Sequence, residues 1–141
     1  MDNFSVIIAG SRGFKDYQKL KSSCDKILSE KAKTHRIIII SGTASGADSL
    51  GERYAEERGY DVIRFPADWE KYGKSAGYRR NAEMARNADA LIAFWDGNSR
   101  GTRHMIEIAV DAKMPVRIIR FSLKQTEESK QKAVLPKGGL Q

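Results

Sequence analysis

Short apolar runs alternate along the chain with segments in which apolar residues recur at helical spacing. The continuous runs, rich in branched residues, predict five strands, over residues 4–9, 36–41, 61–66, 90–95 and 116–121. Between them, apolar residues three or four positions apart predict helices over about 17–28, 47–58, 77–87 and 102–113. The stretch 67–76 shows no periodicity, and we expect a long loop there.

This alternation predicts one α/β domain over residues 1–121, without an internal repeat or a linker. The expected architecture is a three-layer sandwich, in which a five-stranded parallel sheet carries helices on both faces. Residues 122–141 are polar and basic, and they predict a poorly ordered C-terminal tail. Ligands of such sheets bind beyond the carboxyl ends of the strands, so the loops that follow the strands are where chemistry is expected.

Composition changes this picture little. With 141 residues and 40% hydrophobic residues, the chain can build one core. No apolar run approaches the roughly 20 residues of a membrane span, and the N-terminus lacks the pattern of a signal peptide. We therefore expect a cytoplasmic protein without a membrane partner. The single cysteine, Cys24, lies on the apolar face of the first predicted helix and is expected to be a core residue.

The charge is more informative. A net charge of +7 and an isoelectric point near 9.6 favour polyanionic partners or phosphorylated ligands. The alternative is a merely basic surface, since Lys and Arg are scattered along the chain without a dense block.

The loops after the first two predicted strands have the composition of phosphate-binding loops. They are small and glycine-rich, and the second opens a helix, whose N-terminal N–H groups attract anions. Alternatively, Ser45 and Asp48 form a capping box at the start of this helix, and both roles can hold together. The phosphate-binding candidates in these loops are Gly10, Ser11, Arg12, Gly42, Thr43, Ala44, Ser45, Gly46 and Asp48.

The two remaining loops supply aromatic residues and further small polar residues. Region 69–81 mixes aromatic residues with Lys and Arg, and Trp69 is a candidate for stacking on a base, as is Trp95 at the end of the fourth strand. Packing of these rings on the domain is the alternative. The fourth loop ends in Gly101 and Thr102, and Thr102 is placed to cap a helix or contact a phosphate. His35 and His104 have no partner at metal-ligand spacing, so neither a metal nor a required cofactor is expected.

As a set, five segments resemble the SLOG superfamily, a Rossmann-like group that includes the LOG phosphoribohydrolases and DprA. The resemblance is greatest to its small stand-alone bacterial and phage members related to YspA. It implies the sheet order 3-2-1-4-5 and a nucleotide or nucleotide-derived ligand, and it adds Arg80 and Asn81 to the ligand-binding residues. The segments are IAGSRGF (8–14), SGTASGAD (41–48), FPADW (65–69), AGYRRNAEMA (76–85) and GTRHMIEIA (101–109).

The same resemblance makes catalysis an open question. LOG enzymes carry an arginine in an R-K-x-x-M helix, which Arg80 matches, and a glutamate in a G-G-x-G-T-x-x-E loop, where this chain has Met105. A thioether cannot transfer a proton, so cleavage would need a relocated acid such as Asp48 or Asp96. Glu107 is a weaker candidate, because it follows Arg103 by four residues, and this spacing on a helix predicts an exposed ion pair between the two side chains.

Three functions therefore remain, and they belong to different classes. The leading hypothesis is the binding or sensing of a small-molecule nucleotide or derivative. The first alternative is a LOG-like hydrolase of N-glycosidic bonds with a relocated acid, for which the weak catalytic candidates are Arg80, Asp48 and Glu107. The second is DprA-like binding of single-stranded nucleic acid. A homo-oligomer is compatible with each of them.

Overall fold

Five parallel strands form the sheet, and the computed structural model describes residues 1–122. The strands are β1 (Asp2–Gly10), β2 (His35–Ser41), β3 (Asp61–Arg64), β4 (Ala90–Trp95) and β5 (Val116–Arg120). The order across the sheet is β3-β2-β1-β4-β5, as predicted. The central strand, β1, pairs with β2 from Asp2 to Ile7 and with β4 from Val6 to Gly10.

The two faces of the sheet carry separate apolar cores because successive side chains of a strand point to opposite faces. Val6 and Ile8 of β1 belong to one core, and Ile7 and Ala9 belong to the other. All four residues are at most 6% exposed, as expected for a central strand covered on both sides. The predicted three-layer architecture is therefore confirmed.

Two helices cover each face. The helices are α1 (Tyr17–Leu28), α2 (Lys31–Thr34), α3 (Ala47–Arg58), α4 (Trp69–Tyr72), α5 (Ala76–Arg86) and α6 (Arg100–Asp111), with a 3₁₀ turn at Gly73–Ser75. Helices α1 and α3 pack on the face of the sheet that carries Val6, where Cys24 of α1 is fully buried as predicted, and α5 and α6 pack on the face that carries Ile7. Among residues 1–122, no helix is both long and apolar enough to cross a membrane.

The predicted loop at 67–76 is wrong, since it contains α4 and the 3₁₀ turn. Asp68 caps α4 by accepting the Lys71 N–H at 3.0 Å, and a helix of four residues is too short to leave a periodic pattern. Apart from Ser122, the predicted tail at 122–141 lies outside the described residues.

Candidate functional site

A cavity of about 460 Å³ opens beyond the carboxyl ends of β1 and β4. Its walls come from the loop after β1, from α4 and α5, and from the start of α6, with one residue of α3. This is the position predicted for a ligand in a parallel sheet. The predicted site residues that line it are Gly10, Ser11, Arg12, Asp48, Trp69, Arg80, Asn81, Gly101 and Thr102.

Two glycines let the strand-end loops cross in direct backbone contact. Gly10 has φ +156°, and a Cβ there would overlap the carbonyl oxygen of Phe94 in β4. Gly46 has φ +79°, and a Cβ there would overlap the carbonyl oxygen of Arg12. Because only glycine tolerates such approaches, Gly10 lets the end of β1 lie against β4, and Gly46 lets the loop after β2 lie against the loop after β1.

Ser11 links the loops after β1 and β4. The residue is 2% exposed, and its N–H donates to the Phe94 carbonyl at 2.9 Å. Its hydroxyl oxygen accepts the Asp96 N–H at 3.1 Å and the Ser99 hydroxyl at 2.8 Å. Ser11 thus lines the cavity while fixing the geometry of two of its walls.

The glycine-rich loop after β2 does not line the cavity, apart from Asp48. Two of its N–H groups already have acceptors in the protein, since Thr43 donates to the Ser41 hydroxyl oxygen at 3.0 Å and Ala44 to the Asp48 carboxylate at 3.1 Å. The predicted capping box is wrong, because Gly46 occupies the N-cap position of α3 and Ser45 does not cap it. The residues outside the cavity are Gly42, Thr43, Ala44, Ser45 and Gly46.

Asp48 presents a buried carboxyl group to the cavity. The residue is 5% exposed, and burial raises its pKa to about 6, although the Ala44 N–H and the charge of Arg80 oppose this rise. A carboxyl group that titrates near neutral pH inside a cavity can exchange a proton with a ligand. Within the described lining, Asp48 is the one carboxylate.

Arg80 and Asn81 connect the walls of the cavity. The Arg80 Nη1 donates to the Gly42 carbonyl oxygen, and its Nε donates to the Asn81 Oδ1 at 3.1 Å. The Asn81 Nδ2 then donates to the Gly101 carbonyl at 3.2 Å and lies 3.2 Å from His104 Nδ1. Arg80 is therefore held in place by two hydrogen bonds, and burial lowers the pKa of its guanidinium while the charge of Asp48 opposes this.

The cavity is strongly positive. Four cations line it, Arg12, Lys74, Arg80 and Arg100, against the single carboxylate of Asp48. None of them forms an ion pair with a described residue, since the six ion pairs found over residues 1–122 all lie between positions 21 and 64. Uncompensated cations in a concave site concentrate positive potential there, which favours an anionic ligand.

Two exposed aromatic side chains line this cavity. Trp69 is 51% exposed and Tyr78 is 47% exposed, and both belong to the lining. The other predicted stacking residue, Trp95, lies outside the lining, with its indole ring near Arg103 and Arg120 and its N–H donating to the Ser99 carbonyl at 3.1 Å. Its placement does not support stacking on a ligand in this cavity.

The start of α6 differs from the predicted arrangement. The helix begins at Arg100 with Ser99 in the N-cap position, so Thr102 lies in its first turn and does not cap it. Met105 is 1% exposed and lines the cavity, so the residue that matches the position of the LOG glutamate lies against the cavity. Glu107 lies outside the lining, and its expected ion pair with Arg103 is not among the ion pairs of residues 1–122.

Asp96, another candidate for a relocated acid, has a structural role. Its carboxylate accepts the N–H groups of Asn98 and Ser99, each at 2.8 Å. Burial alone would raise the pKa of Asp96, but these hydrogen bonds outweigh it and hold the pKa below its usual value. An ionised carboxylate with its oxygen atoms already engaged is a poor proton donor.

Sequence reasoning missed Lys74, Tyr78 and Arg100 as cavity residues. All three lie on segments that the sequence marks as candidate ligand loops, but no periodicity tells which side chain of a loop or first helical turn faces a cavity.

Over residues 1–122 there is no group of three or more His, Cys, Asp or Glu that could hold a metal ion.

Comparisons with known proteins bear on this site. Residues 4–72 match the model of the YspA, cpYpsA-related SLOG family. The Gene 61 protein of Mycobacterium phage D29 is 38% identical over 118 residues, which cover 79% of this chain and 92% of that protein.

Solved structures show the same fold at low sequence identity. The protein TM1055 is 21% identical, with a TM-score of 0.58 over 82% of this chain and 72% of its own. DNA processing protein A from Helicobacter pylori, studied for its binding of single-stranded DNA, is 17% identical, with a TM-score of 0.61 over 92% of this chain and 73% of its own. The protein of the same name from Streptococcus pneumoniae is 17% identical, with a TM-score of 0.65 over 97% of this chain and 57% of its own.

Proposed function

Because this chain belongs to the YspA, cpYpsA-related SLOG family, we propose that it binds a nucleotide or nucleotide-derived phosphate ligand as a small molecule. The observation that carries the proposal is the cavity beyond β1 and β4, where four cations face one carboxylate and none of the four forms an ion pair with a described residue. A phosphate group would supply the missing negative charge.

The remaining lining suits the rest of a nucleotide. A volume of about 460 Å³ falls in the range of small-molecule sites. Trp69 and Tyr78 offer exposed ring faces on which a base can stack. Gly101 and Thr102, in the first turn of α6, lie at the helix end that favours anions.

Binding is tested by calorimetric titration with nucleoside mono-, di- and triphosphates and with the matching nucleosides. We expect the phosphorylated compounds to bind and the nucleosides to bind at least about tenfold more weakly, since a hydrogen bond to a charged group contributes about 1.5–3 kcal/mol. Arg100→Gln should weaken phosphate binding by a similar factor. Arg36→Gln is the matched control, because Arg36 lies at the amino end of β2 and pairs with Asp61.

Three results would contradict this proposal. They are the absence of binding by every phosphorylated compound, equal affinity for nucleosides and nucleotides, and an equal loss of affinity in Arg36→Gln and Arg100→Gln. The last result would show that overall charge, and not the cavity, determines binding.

Asp48 favours a second candidate function, hydrolysis of the N-glycosidic bond of a nucleotide. Its buried carboxyl lines the cavity, and the pKa of about 6 suits a group that takes a proton from water as water attacks the sugar carbon. The C–N bond would break as the water oxygen bonds to the sugar carbon, and the base would leave with its electron pair. The proton that Asp48 took from the water would then pass to the base. Arg80, the residue that matches the arginine of the LOG motif, would hold the phosphate.

This second candidate is tested by incubating the protein with nucleoside monophosphates and measuring free base and ribose 5-phosphate. Asp48→Asn should abolish release while phosphate binding persists, and Glu107→Gln should leave release unchanged because Glu107 lies outside the cavity. No release by the unaltered protein, or equal release by Asp48→Asn, would exclude this chemistry and leave the binding function standing.

A further inference from the structure

One oxygen atom of the Asp48 carboxylate lacks a hydrogen-bond donor. Its Oδ2 accepts the Ala44 N–H at 3.1 Å, whereas its Oδ1 has no donor among residues 1–122. The residue is nevertheless 5% exposed and lines the cavity. Because buried polar atoms normally have partners, an open carboxylate oxygen at a cavity wall is a position where a ligand can supply the donor.

Arg80 lies beside Asp48 without supplying this donor. A Cβ at Gly42 would lie 2.8 Å from Asp48 Oδ2 and 2.8 Å from Arg80 Nη1, so both groups flank the same glycine. The Arg80 Nη1 donates instead to the Gly42 carbonyl oxygen. Over residues 1–122, no ion pair joins Asp48 to Arg80 or to Arg12. The protein therefore leaves Oδ1 open.

The phosphate of a bound nucleotide has another place in the cavity. Arg100, Gly101 and Thr102 form the first turn of α6, where the backbone N–H groups have no acceptor within the helix and attract anions. A phosphate beside Asp48 would instead meet a charge of its own sign. The wall at Asp48 is therefore suited to a neutral donor of the ligand.

The base also has a place elsewhere, on the exposed rings of Trp69 and Tyr78. The sugar joins the base to the phosphate, and its hydroxyl groups are neutral donors. A carboxylate is the group with which many nucleotide-binding parallel sheets accept a ribose hydroxyl.

Building on the proposed nucleotide-binding function, we propose that Asp48 accepts a hydroxyl group of ribose at its open Oδ1 and thereby determines specificity for the sugar. The ligand class is then a ribonucleotide whose two ribose hydroxyls are free. An analogue that lacks the bound hydroxyl leaves Oδ1 buried without a donor, and it binds more weakly for that reason.

Ionisation of Asp48 should change this preference. Burial raises its pKa to about 6; the charges of Arg80 on α5 and Arg12 after β1 oppose the rise, and Glu52 on α3 adds to it. Because a hydroxyl bonds more strongly to an ionised carboxylate than to a neutral acid, the preference should grow between pH 5 and pH 8. The phosphate also titrates near pH 6, but it is common to all the compounds and cancels in a ratio of affinities.

The test is calorimetric titration at pH 5 and pH 8 with adenosine 5′-monophosphate, its 2′-deoxy and 3′-deoxy analogues, and inosine 5′-monophosphate. At pH 8 we expect at least one deoxy analogue to bind the unaltered protein at least about tenfold more weakly than adenosine 5′-monophosphate. Asp48→Asn should reduce this preference at least about threefold and remove its dependence on pH. Asp111→Asn, the same change at an exposed position of α6 outside the cavity, is the control and should retain both.

Circular dichroism verifies the folding of both variants, and the analogue series on the unaltered protein does not depend on either. Equal affinity for adenosine 5′-monophosphate and both deoxy analogues would overturn the inference, as would a preference that Asp48→Asn leaves unchanged. Weaker binding of inosine 5′-monophosphate, which lacks the base amino group, would also overturn it if the weakening disappears in Asp48→Asn. In each of these cases the binding function stands, whereas failure of all four compounds to bind would refute that function itself.

Discussion

Replacement of Asp48 by asparagine should stabilise the protein at neutral pH and leave it unchanged in acid. Asparagine has the same shape as aspartate, and its side-chain oxygen can still accept the Ala44 N–H, which Asp48 accepts at 3.1 Å. What the substitution removes is the burial of a negative charge on a residue that is 5% exposed. Burial of an ionised carboxylate is costly unless several donors surround it.

The size of the effect follows from the pKa. Burial moves the pKa of Asp48 from 3.8 to about 6, and a shift of this size corresponds to roughly 3 kcal/mol. Below about pH 4 the group is protonated in both the folded and the unfolded chain, so the penalty is absent. As pH rises from 4 to 6, only the unfolded chain readily releases the proton, and stability falls. Above pH 6 the full penalty applies.

The assay is urea unfolding of both proteins at intervals between pH 4 and pH 8. The free energy of unfolding of Asp48→Asn should exceed that of the unaltered protein by up to about 3 kcal/mol at pH 8 and match it near pH 4. Asp96→Asn is a control with the opposite expected sign. Hydrogen bonds hold the pKa of Asp96 below its usual value, so loss of the Asp96 charge should lower the free energy of unfolding at neutral pH. A difference for Asp48→Asn that does not vary with pH, or has the opposite sign at pH 8, would refute the reasoning.

Three further predictions concern other parts of the molecule. Gly10→Ala should lower the free energy of unfolding, measured in urea, by about 3 kcal/mol or more, because the alanine Cβ would overlap the Phe94 carbonyl. Gly101→Ala, where nothing lies within reach of a Cβ, should instead stabilise α6 by up to about 1 kcal/mol. Cys24, fully buried and with its pKa raised by burial to about 12, should resist a thiol reagent at pH 8 until the chain is unfolded; rapid labelling of the native protein would contradict this. Nucleotide binding should quench the fluorescence of Trp69, so Trp69→Phe should abolish the signal and Trp95→Phe should preserve it.

The fold could be predicted from the sequence because a strand that is buried on both faces appears as a continuous apolar run. In a central parallel strand every position is apolar, as in 6–9 of β1, while the covering helices show apolar residues on one side only. Strand order does not follow from such patterns, and it was implied here by the resemblance of the loops. Helix α4 left no trace, because it depends on a single cap at Asp68 and not on a repeated apolar spacing.

The candidate site could be predicted only in part, because loop composition does not reveal which acceptors the backbone N–H groups donate to. Glycines and small hydroxyl residues suit a phosphate-binding loop, but they equally suit a loop that passes close to another chain segment. In the loop after β2 the second use prevails, because Gly46 lies against the Arg12 carbonyl and the Ala44 N–H is bound to Asp48. That choice is made by contacts between residues far apart in sequence, which no local pattern encodes.

The contrast between the hydrogen bonds of Asp96 and those of Asp48 bears on the proposed ligand. Asp96 is supplied with N–H donors and holds a loop, whereas Asp48 is nearly as buried as any core residue and has one backbone donor, from Ala44. A buried carboxylate short of donors gains most from a ligand that brings one, such as a ribose hydroxyl or an amino group of a base. Inorganic phosphate would neutralise the cations but would leave the Asp48 carboxylate with its single backbone donor. These features support the proposed ligand, because a nucleotide joins an anionic phosphate to hydrogen-bond donors.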